Sequence, residues 1–383
     1  MPQAIPLGLY VHIPWCVRKC PYCDFNSHAV GDGPIPEQAY VDALLRDLEL
    51  ELPLVWGRRV QSLFLGGGTP SLFSAEALAR LLSGIRARLP LVSDCEITLE
   101  ANPGTVEQAR FADYRALGIN RLSLGIQSFD DALLQRLGRI HDGAEARRAI
   151  DAALAAGFDN FNLDLMFGLP GQDPEAGLAD LRTALSYAPP HLSWYQLTLE
   201  PNTLFHARPP RLPDEEAVDR LYRAGLALLA EHGLHQYEVS AHARPGHACR
   251  HNRNYWEYGD YLGIGAGAHG KLSLPNGRIL RRARQRQPKR YLRDAGSAAA
   301  ITSEQTVSPA ERRFEFMLNA LRLRGGFDLA LFRARTGLED GALEPELGEL
   351  LEEGLLSKTG TRIRPSERGW RFLDELTARF LPE

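Results

Sequence analysis

The sequence predicts an α/β fold: a partial (β/α)6 barrel of the TIM-like kind, followed by a small, mainly α, winged-helix-like unit. Three observations carry this prediction. From residue 7 to about residue 240, short β-rich runs alternate with longer amphipathic stretches, the signature of βα units around a parallel sheet. Six such units follow one another without a change of pattern, which favours a barrel or curved partial barrel over a flat doubly wound sheet. The flat sheet is the alternative. Beyond residue 310 the pattern becomes helix, helix, helix and hairpin.

Taken in order, the expected strands cover residues 8–13, 60–65, 96–99, 121–124, 161–166 and 192–198. Their β-branched and apolar runs are too short for helices. The expected helices cover 38–52, 75–88, 105–116, 144–156, 174–187 and 214–231, where apolar residues recur at helical spacing. A seventh strand-like piece, 236–240, extends the sheet. The Arg-rich stretch 278–293 reads as a connector, its basic run (Arg281, Arg282, Arg284, Arg286, Lys289, Arg290) forming a solvated face. Apolar faces at 318–323, 329–332 and 343–355 build the terminal unit. Three parts result: a barrel over 1–240, a segment over 241–300, and the terminal unit over 301–383.

Composition restricts the function. At 383 residues, 44% hydrophobic and 24% charged, the chain is an ordinary globular protein with room for a large core. The formal net charge of −4 argues against a nucleic-acid partner. The third helix of the winged unit carries Glu344, Glu346, Glu349, Glu352 and Glu353, the wrong sign for a major groove. Residues 1–7 lack the layout of a secretory signal, and no run reaches the length of a membrane span. A reducing, cytoplasmic setting is expected, with peripheral membrane contact left open.

The chemistry begins at Cys16, Cys20 and Cys23, three of the five cysteines, in a C-x3-C-x2-C spacing. An odd set of three, in a chain with few cysteines, does not read as a disulfide framework. Three thiolates this close can wrap one face of an iron–sulfur cluster. With no fourth cysteine at ligand spacing, one iron is left open for a substrate or cosubstrate. Zinc with His12 or His28 as fourth ligand is the rival, but zinc sites usually pair C-x2-C knuckles.

In parallel βα barrels the reactive groups lie at the C-terminal ends of the strands. Here the first strand runs into the cysteine loop, and the second ends in Gly66-Gly67-Gly68-Thr69-Pro70. The third ends at Glu100, the fourth at Gln127, and the fifth carries Asp164 before Phe167-Gly168-Leu169-Pro170. The glycine run lacks a nucleotide-loop pattern; either it is a tight turn, or its bare backbone lets carbonyls approach an ammonium group. Glu100, Gln127 and Asp164 each serve as strand-end caps or together as one polar pocket for a cation, an amine or sugar hydroxyls. Arg139 suits a ligand carboxylate or an ordinary surface salt bridge.

These residues resemble the radical S-adenosylmethionine enzymes, whose C-x3-C-x2-C loop has an aromatic, here Tyr22, before the last cysteine. More narrowly, the segments at 10–16, 66–70, 100–103, 125–129 and 164–170 resemble the oxygen-independent coproporphyrinogen oxidase and HemW group. The resemblance implies a [4Fe–4S] cluster held by Cys16, Cys20 and Cys23. It implies S-adenosylmethionine chelated at the open iron, where an electron from a reducing partner breaks the sulfonium bond. It places Tyr10, Gly67, Gly68, Thr69, Glu100, Gln127, Arg139 and Asp164 at S-adenosylmethionine contacts, with Tyr22 flanking the adenine.

Two branches of the group compete. The oxidases resemble C-x3-C-x2-C-x-C, whereas Phe25 stands at the last position here. The chain also starts only fifteen residues before Cys16, closer than in those oxidases. His251-Asn252-Arg253-Asn254-Tyr255-Trp256 resembles the H-N-x-x-Y-W signature of HemW-type heme chaperones. That resemblance implies heme as a further ligand and heme-accepting respiratory proteins as partners. His251 is then the axial ligand of choice and Cys249 a second candidate; otherwise the segment is a structural loop. The glycine-rich stretch 263–270, with His269, is expected on the same rim.

Overall fold

The computed structural model describes residues 5–31, 33–104 and 108–382. Six parallel strands lie side by side in chain order: β1 (Leu7–Ile13), β2 (Val60–Gly67), β3 (Leu91–Ala101), β4 (Arg121–Gln127), β5 (Phe161–Phe167) and β6 (His191–Gln196). They are the six expected from the sequence. Strands β1 and β5 are buried at six of their seven positions, because helices cover a parallel sheet and leave no face for water.

The helices are α1 (Glu37–Glu51), α2 (Ala75–Arg88), α3 (Phe111–Ala116), α4 (Asp131–Arg136), α5 (Gly143–Ala155), α6 (Pro174–Ser186) and α7 (Glu215–Glu231). Residues 105–107 of the expected 105–116 helix lie outside the described residues. Starts are set by N-caps. Ser74 accepts from the Ala77 N–H, Asp173 from Ala176 and Asp214 from Ala217, and Asp142 and Glu145 form a reciprocal capping box. Each cap contributes about 1 kcal/mol.

Beyond residue 234 the sheet grows at both edges. Strands β7 (His235–Glu238) and β8 (Ala241–Ala243) add antiparallel in the order β6-β8-β7. After α8 (Arg250–Trp256), β9 (Asp260–Ile264) returns to pair parallel with β1 on its free side. Strands β10 (His269–Ser273), β11 (Ile279–Arg284) and β12 (Ile301–Thr306) then extend that edge antiparallel, giving twelve strands.

The Arg-rich stretch read as a connector is therefore a strand, β11, followed by the helix α9 (Pro288–Asp294). The correction has a plain cause, since its charges are paired. Arg284 is buried; its Nε donates to Asp47 Oδ1 at 2.8 Å, and it also contacts Glu51. Arg282 bonds Glu51 at 2.8 Å and Glu304 at 2.7 Å. Of the basic run, only Arg286, Lys289 and Arg290 are fully exposed.

The terminal unit holds α10 (Pro309–Ala320), α11 (Leu329–Thr336) and α12 (Glu346–Glu352). Strands β13 (Phe327–Asp328), β14 (Leu356–Thr359) and β15 (Arg362–Pro365) form a small sheet in the order β13-β15-β14. Its core contains Phe316, Phe327, Phe332, Leu350 and Ile363, and Tyr258, Ile279 and Val307 of the main body join that cluster. Leu318, placed on the apolar face from the sequence, is exposed.

Candidate functional site

The C-terminal ends of β1 to β6 open into one cavity of about 1300 Å³. Its near wall carries all three loop cysteines with Tyr22, Gly67, Gly68 and Thr69, and its floor carries Glu100, Gln127, Arg139 and Asp164. The expected site residues thus meet, with two exceptions given below.

The cysteine loop is folded by backbone bonds. Gly68 N–H donates to Ile13 O at 2.8 Å and Thr69 N–H to Trp15 O at 2.7 Å, while Trp15 and Cys16 pair with His28 and Ala29. A Cβ on Gly68 would lie 2.5 Å from Trp15 O, and Gly67, at φ 118°, would meet the His12 ring at 2.6 Å. The glycine run therefore permits the close approach of β2 to the loop.

The thiols have polar neighbours. Thr69 Oγ1 donates to Cys16 Sγ at 3.4 Å, Arg139 Nη1 to Cys20 Sγ at 3.7 Å, and Cys23 Sγ lies 3.5 Å from Ser27 Oγ. All three cysteines are free and half-buried. Among the described residues no three His, Cys, Asp or Glu groups could hold a single metal ion together. His12 and His28, the rival fourth ligands, are already engaged. His12 Nε2–H donates to Asn26 O at 3.0 Å and its Nδ1 accepts from the Tyr10 hydroxyl at 2.9 Å; His28 Nε2 lies 3.3 Å from Asn26 Oδ1. Three thiols spread over one cavity wall fit a polynuclear cluster, whose irons would take one each.

The floor is a half-buried acid pair in a hydrogen-bonded cradle. Glu100 Oε2 accepts from Gly67 N–H at 3.0 Å; burial, then the neighbouring Asp164, push its carboxyl up to about 7. Asp164 accepts from Asn162 Nδ2 at 2.8 Å and Ser123 Oγ at 3.0 Å, and burial raises its carboxyl too. Gln127 sits at φ 69°, a backbone conformation that costs of order 1 kcal/mol without glycine. Its Oε1 accepts from Tyr195 at 2.9 Å.

Sequence reasoning missed Tyr195, and missed Asn102 as a hub. Asn102 Nδ2 donates to Thr69 Oγ1 at 2.8 Å, and its Oδ1 accepts from Arg139 at 2.6 Å. It stands two residues after Glu100 on the same strand end, the signal available in the sequence. Arg139 also donates to Gly125 O at 2.8 Å, while its Nε is buried without a partner, so it is not a surface salt bridge.

Tyr10 and His251 do not line the cavity. Tyr10 spends its hydroxyl on His12 as above. His251 is buried, with Nδ1 at 3.0 Å from Ser62 Oγ and Nε2 at 3.1 Å from the Tyr255 hydroxyl, and its ring stacks 5.0 Å from Phe64. Burial, then Arg121, lower it to about 3. Both nitrogens are hydrogen-bonded in this conformation, inside the fold rather than on the cavity wall. Cys249 is equally buried, its thiol donating to Glu96 at 3.6 Å. From the same motif, Asn252 and Trp256 do reach the cavity. The 263–270 glycine stretch meets the cysteine loop, where Asn26 Nδ2 donates to Ala266 O at 2.8 Å.

Residues 10–183 match the Radical SAM superfamily, and residues 307–372 match the HemN C-terminal domain. Heme chaperone HemW of Escherichia coli (strain K12) is 50% identical over 378 residues, covering 99% of each chain. Its namesake in Haemophilus influenzae is 49% identical, covering 100% of each. This chain belongs to the HemW family of the radical SAM superfamily. A mouse relative, radical S-adenosyl methionine domain-containing protein 1, mitochondrial, is 37% identical over 98% of this chain and 87% of its own. The fold matches that of coproporphyrinogen III oxidase (HemN) from Escherichia coli at TM-score 0.82 and 24% identity, covering 98% of this chain and 90% of that one. Membership brings a [4Fe–4S] cluster and S-adenosylmethionine as the superfamily's cofactors. No helix among the described residues is long and apolar enough to cross a membrane.

Proposed function

We propose that this chain is a cytoplasmic heme chaperone. It binds a [4Fe–4S] cluster through Cys16, Cys20 and Cys23, S-adenosylmethionine beside it and heme in the same cavity, and delivers heme to respiratory proteins. The observation that carries the reading is full-length identity of 50% to a relative named heme chaperone HemW. When bound, the cluster and S-adenosylmethionine supply one-electron chemistry at a sulfonium, fed by a reducing partner.

The chain's own residues orient and shield. Thr69 and Arg139 donate to the thiols, and such bonds tune a cluster. Glu100 and Asp164 offer negative charge to an ammonium group, and Gly67 and Gly68 keep that approach clear. Phe25, at the place of the oxidases' additional cysteine, is exposed at the cavity mouth. Val17 and Ile140 also expose apolar side chains beside Arg18, which suits transient contact with a heme acceptor or a membrane surface.

The test is anaerobic reconstitution with iron and sulfide, then heme titration and transfer to an apo respiratory protein. Cluster absorbance, stoichiometric heme uptake and transfer are expected. Catalytic conversion of coproporphyrinogen III to protoporphyrinogen IX without heme uptake would establish the oxidase reading instead.

A further inference from the structure

Below the acid pair the barrel interior is polar, where closed parallel barrels are filled mostly by branched apolar side chains. Ser123, Asn162 and His191 stand side by side in register on β4, β5 and β6, and all three are buried. Asp164 follows two residues after Asn162, on the same face of β5, and lines the cavity.

The direction of each hydrogen bond in this row is fixed. The Ser193 backbone N–H, which can only donate, meets Asn162 Oδ1 at 2.9 Å. That end of the amide is therefore the carbonyl. Its Nδ2 donates to Asp164 Oδ1 and to Ser123 Oγ, each at 2.8 Å, and Ser123 Oγ donates in turn to Asp164 Oδ2 at 3.0 Å. His191 Nδ1, 2.6 Å from the same carbonyl, must carry its hydrogen. Nε2 is then the acceptor for the Tyr237 hydroxyl at 2.9 Å. Burial, then Arg121, His242 and His247, hold His191 neutral by lowering it far below the usual imidazole range. From Tyr237 through His191 and Asn162, every donor points toward the Asp164 carboxylate. Glu100, among the described residues, receives one donor, the Gly67 N–H.

We infer that Asn162, His191 and Tyr237 are positioning residues, which hold Asp164 as the ionised acid of the pair, facing bound S-adenosylmethionine, and leave the exchangeable proton to Glu100. The inference rests on the cofactor reading above and adds what sets the charge of the cavity floor. The ionisable groups facing Asp164 from neighbouring strands are Glu100 on β3, Arg121 on β4 and Tyr195 on β6. Arg121 is the cation among them, and it makes no hydrogen bond to the carboxylate among the described residues, so the close donors belong to the row.

The test is the pH profile of S-adenosylmethionine affinity, measured by calorimetry on the cluster-reconstituted protein. The midpoint of that profile belongs to the acid pair as a whole. N162A removes a charge-assisted donor and should move the midpoint up by about one pH unit, a tenfold change in proton affinity. H191L should move it up by about half a unit, because Asn162 loses its polarising neighbour. H191N, whose amide can still donate to Asn162, is expected to restore the wild-type midpoint. A loss of affinity equal at every pH in N162A and H191L would mean that the row only packs the barrel, and it overturns the inference. So does a shift in H191N as large as in H191L, a comparison that decides the matter even where N162A fails to hold its cluster. Failure of wild type to bind S-adenosylmethionine at all overturns the cofactor reading itself, a distinct result.

Discussion

At Gly68 a single missing Cβ decides whether the cysteine loop closes. An alanine there meets backbone, Trp15 O, rather than a movable side chain, so the loop must shift. G68A is therefore expected to lose most cluster absorbance after reconstitution while keeping the far-ultraviolet dichroism of the fold. Full cluster content would refute the packing argument. Glu100 makes a pH prediction. Its carboxyl is raised to about 7 in the native chain against an unfolded value near 4.5. The native state thus holds the proton more tightly, and its stabilising contribution is complete below the unfolded value and lost as pH rises through about 7. Binding a cation requires the ionised form. S-adenosylmethionine affinity should consequently fall about tenfold per pH unit below that point, and E100Q should flatten the profile. Calorimetric titrations at several pH values check this; an unchanged slope in E100Q would exclude Glu100. At this scale the loop cysteines, the glycines and the acids were legible, because their types are unusual at strand ends. Tyr10 and His251 lie off the cavity lining, a placement the motif could not give because it does not say which of its side chains turn inward.

Among the elements, the six inner strands were legible because short apolar-rich runs recur between amphipathic helical stretches in a steady βα rhythm. The outer four, β9 to β12, were not. Each carries a charged side chain within a short run, with three arginines in β11, and pattern reading assigns charge to solvent. Pairing overrides that rule. Asp47 and Glu51 on α1 are buried acids facing β11, and Tyr291 donates to Asp47 Oδ2 at 2.7 Å from α9. The acids sit on a helix whose spacing, 47 and 51, puts them one turn apart on one face, a signal readable only once a partner is known. Removing Arg284 leaves the buried Asp47 carboxylate without a cation and Glu51 with Arg282 alone. R284A should lower unfolding stability by about 3–5 kcal/mol, measured by urea denaturation, and R284A/D47N/E51Q should recover part of it. A loss within about 0.5 kcal/mol, as at a surface site, would contradict the buried pairing.

Over the whole molecule, the two edges of the open sheet are brought together by the terminal unit. Near one edge, β11, Arg281 makes a two-pronged pair with Glu315 at 2.7 and 2.8 Å, and the Tyr258 hydroxyl donates to the same carboxylate. At the other, β7, Glu238 meets Arg322, and Arg324 N–H donates to Tyr237 O at 2.9 Å. Glu315 and Arg322 are seven residues apart along α10 and the turn after it, about 10 Å at helical rise. A twelve-stranded sheet whose second and last strands in order both reach so short a segment must curve around the cavity, which is why the pattern read as a barrel although hydrogen bonding does not close it. Sequence could predict the helices and hairpin of this unit but not its seat, since the clamp depends on four residues from distant segments. If the unit acts as a clasp over the cavity, weakening one side should loosen it alone. E315A is expected to raise amide exchange across residues 307–382 by about tenfold or more, equivalent to about 1–3 kcal/mol of lost charge-assisted bonding, while β1 to β6 stay protected and cluster content is kept. Exchange rising evenly over the whole chain would mean that Glu315 supports global stability and that the unit is no clasp.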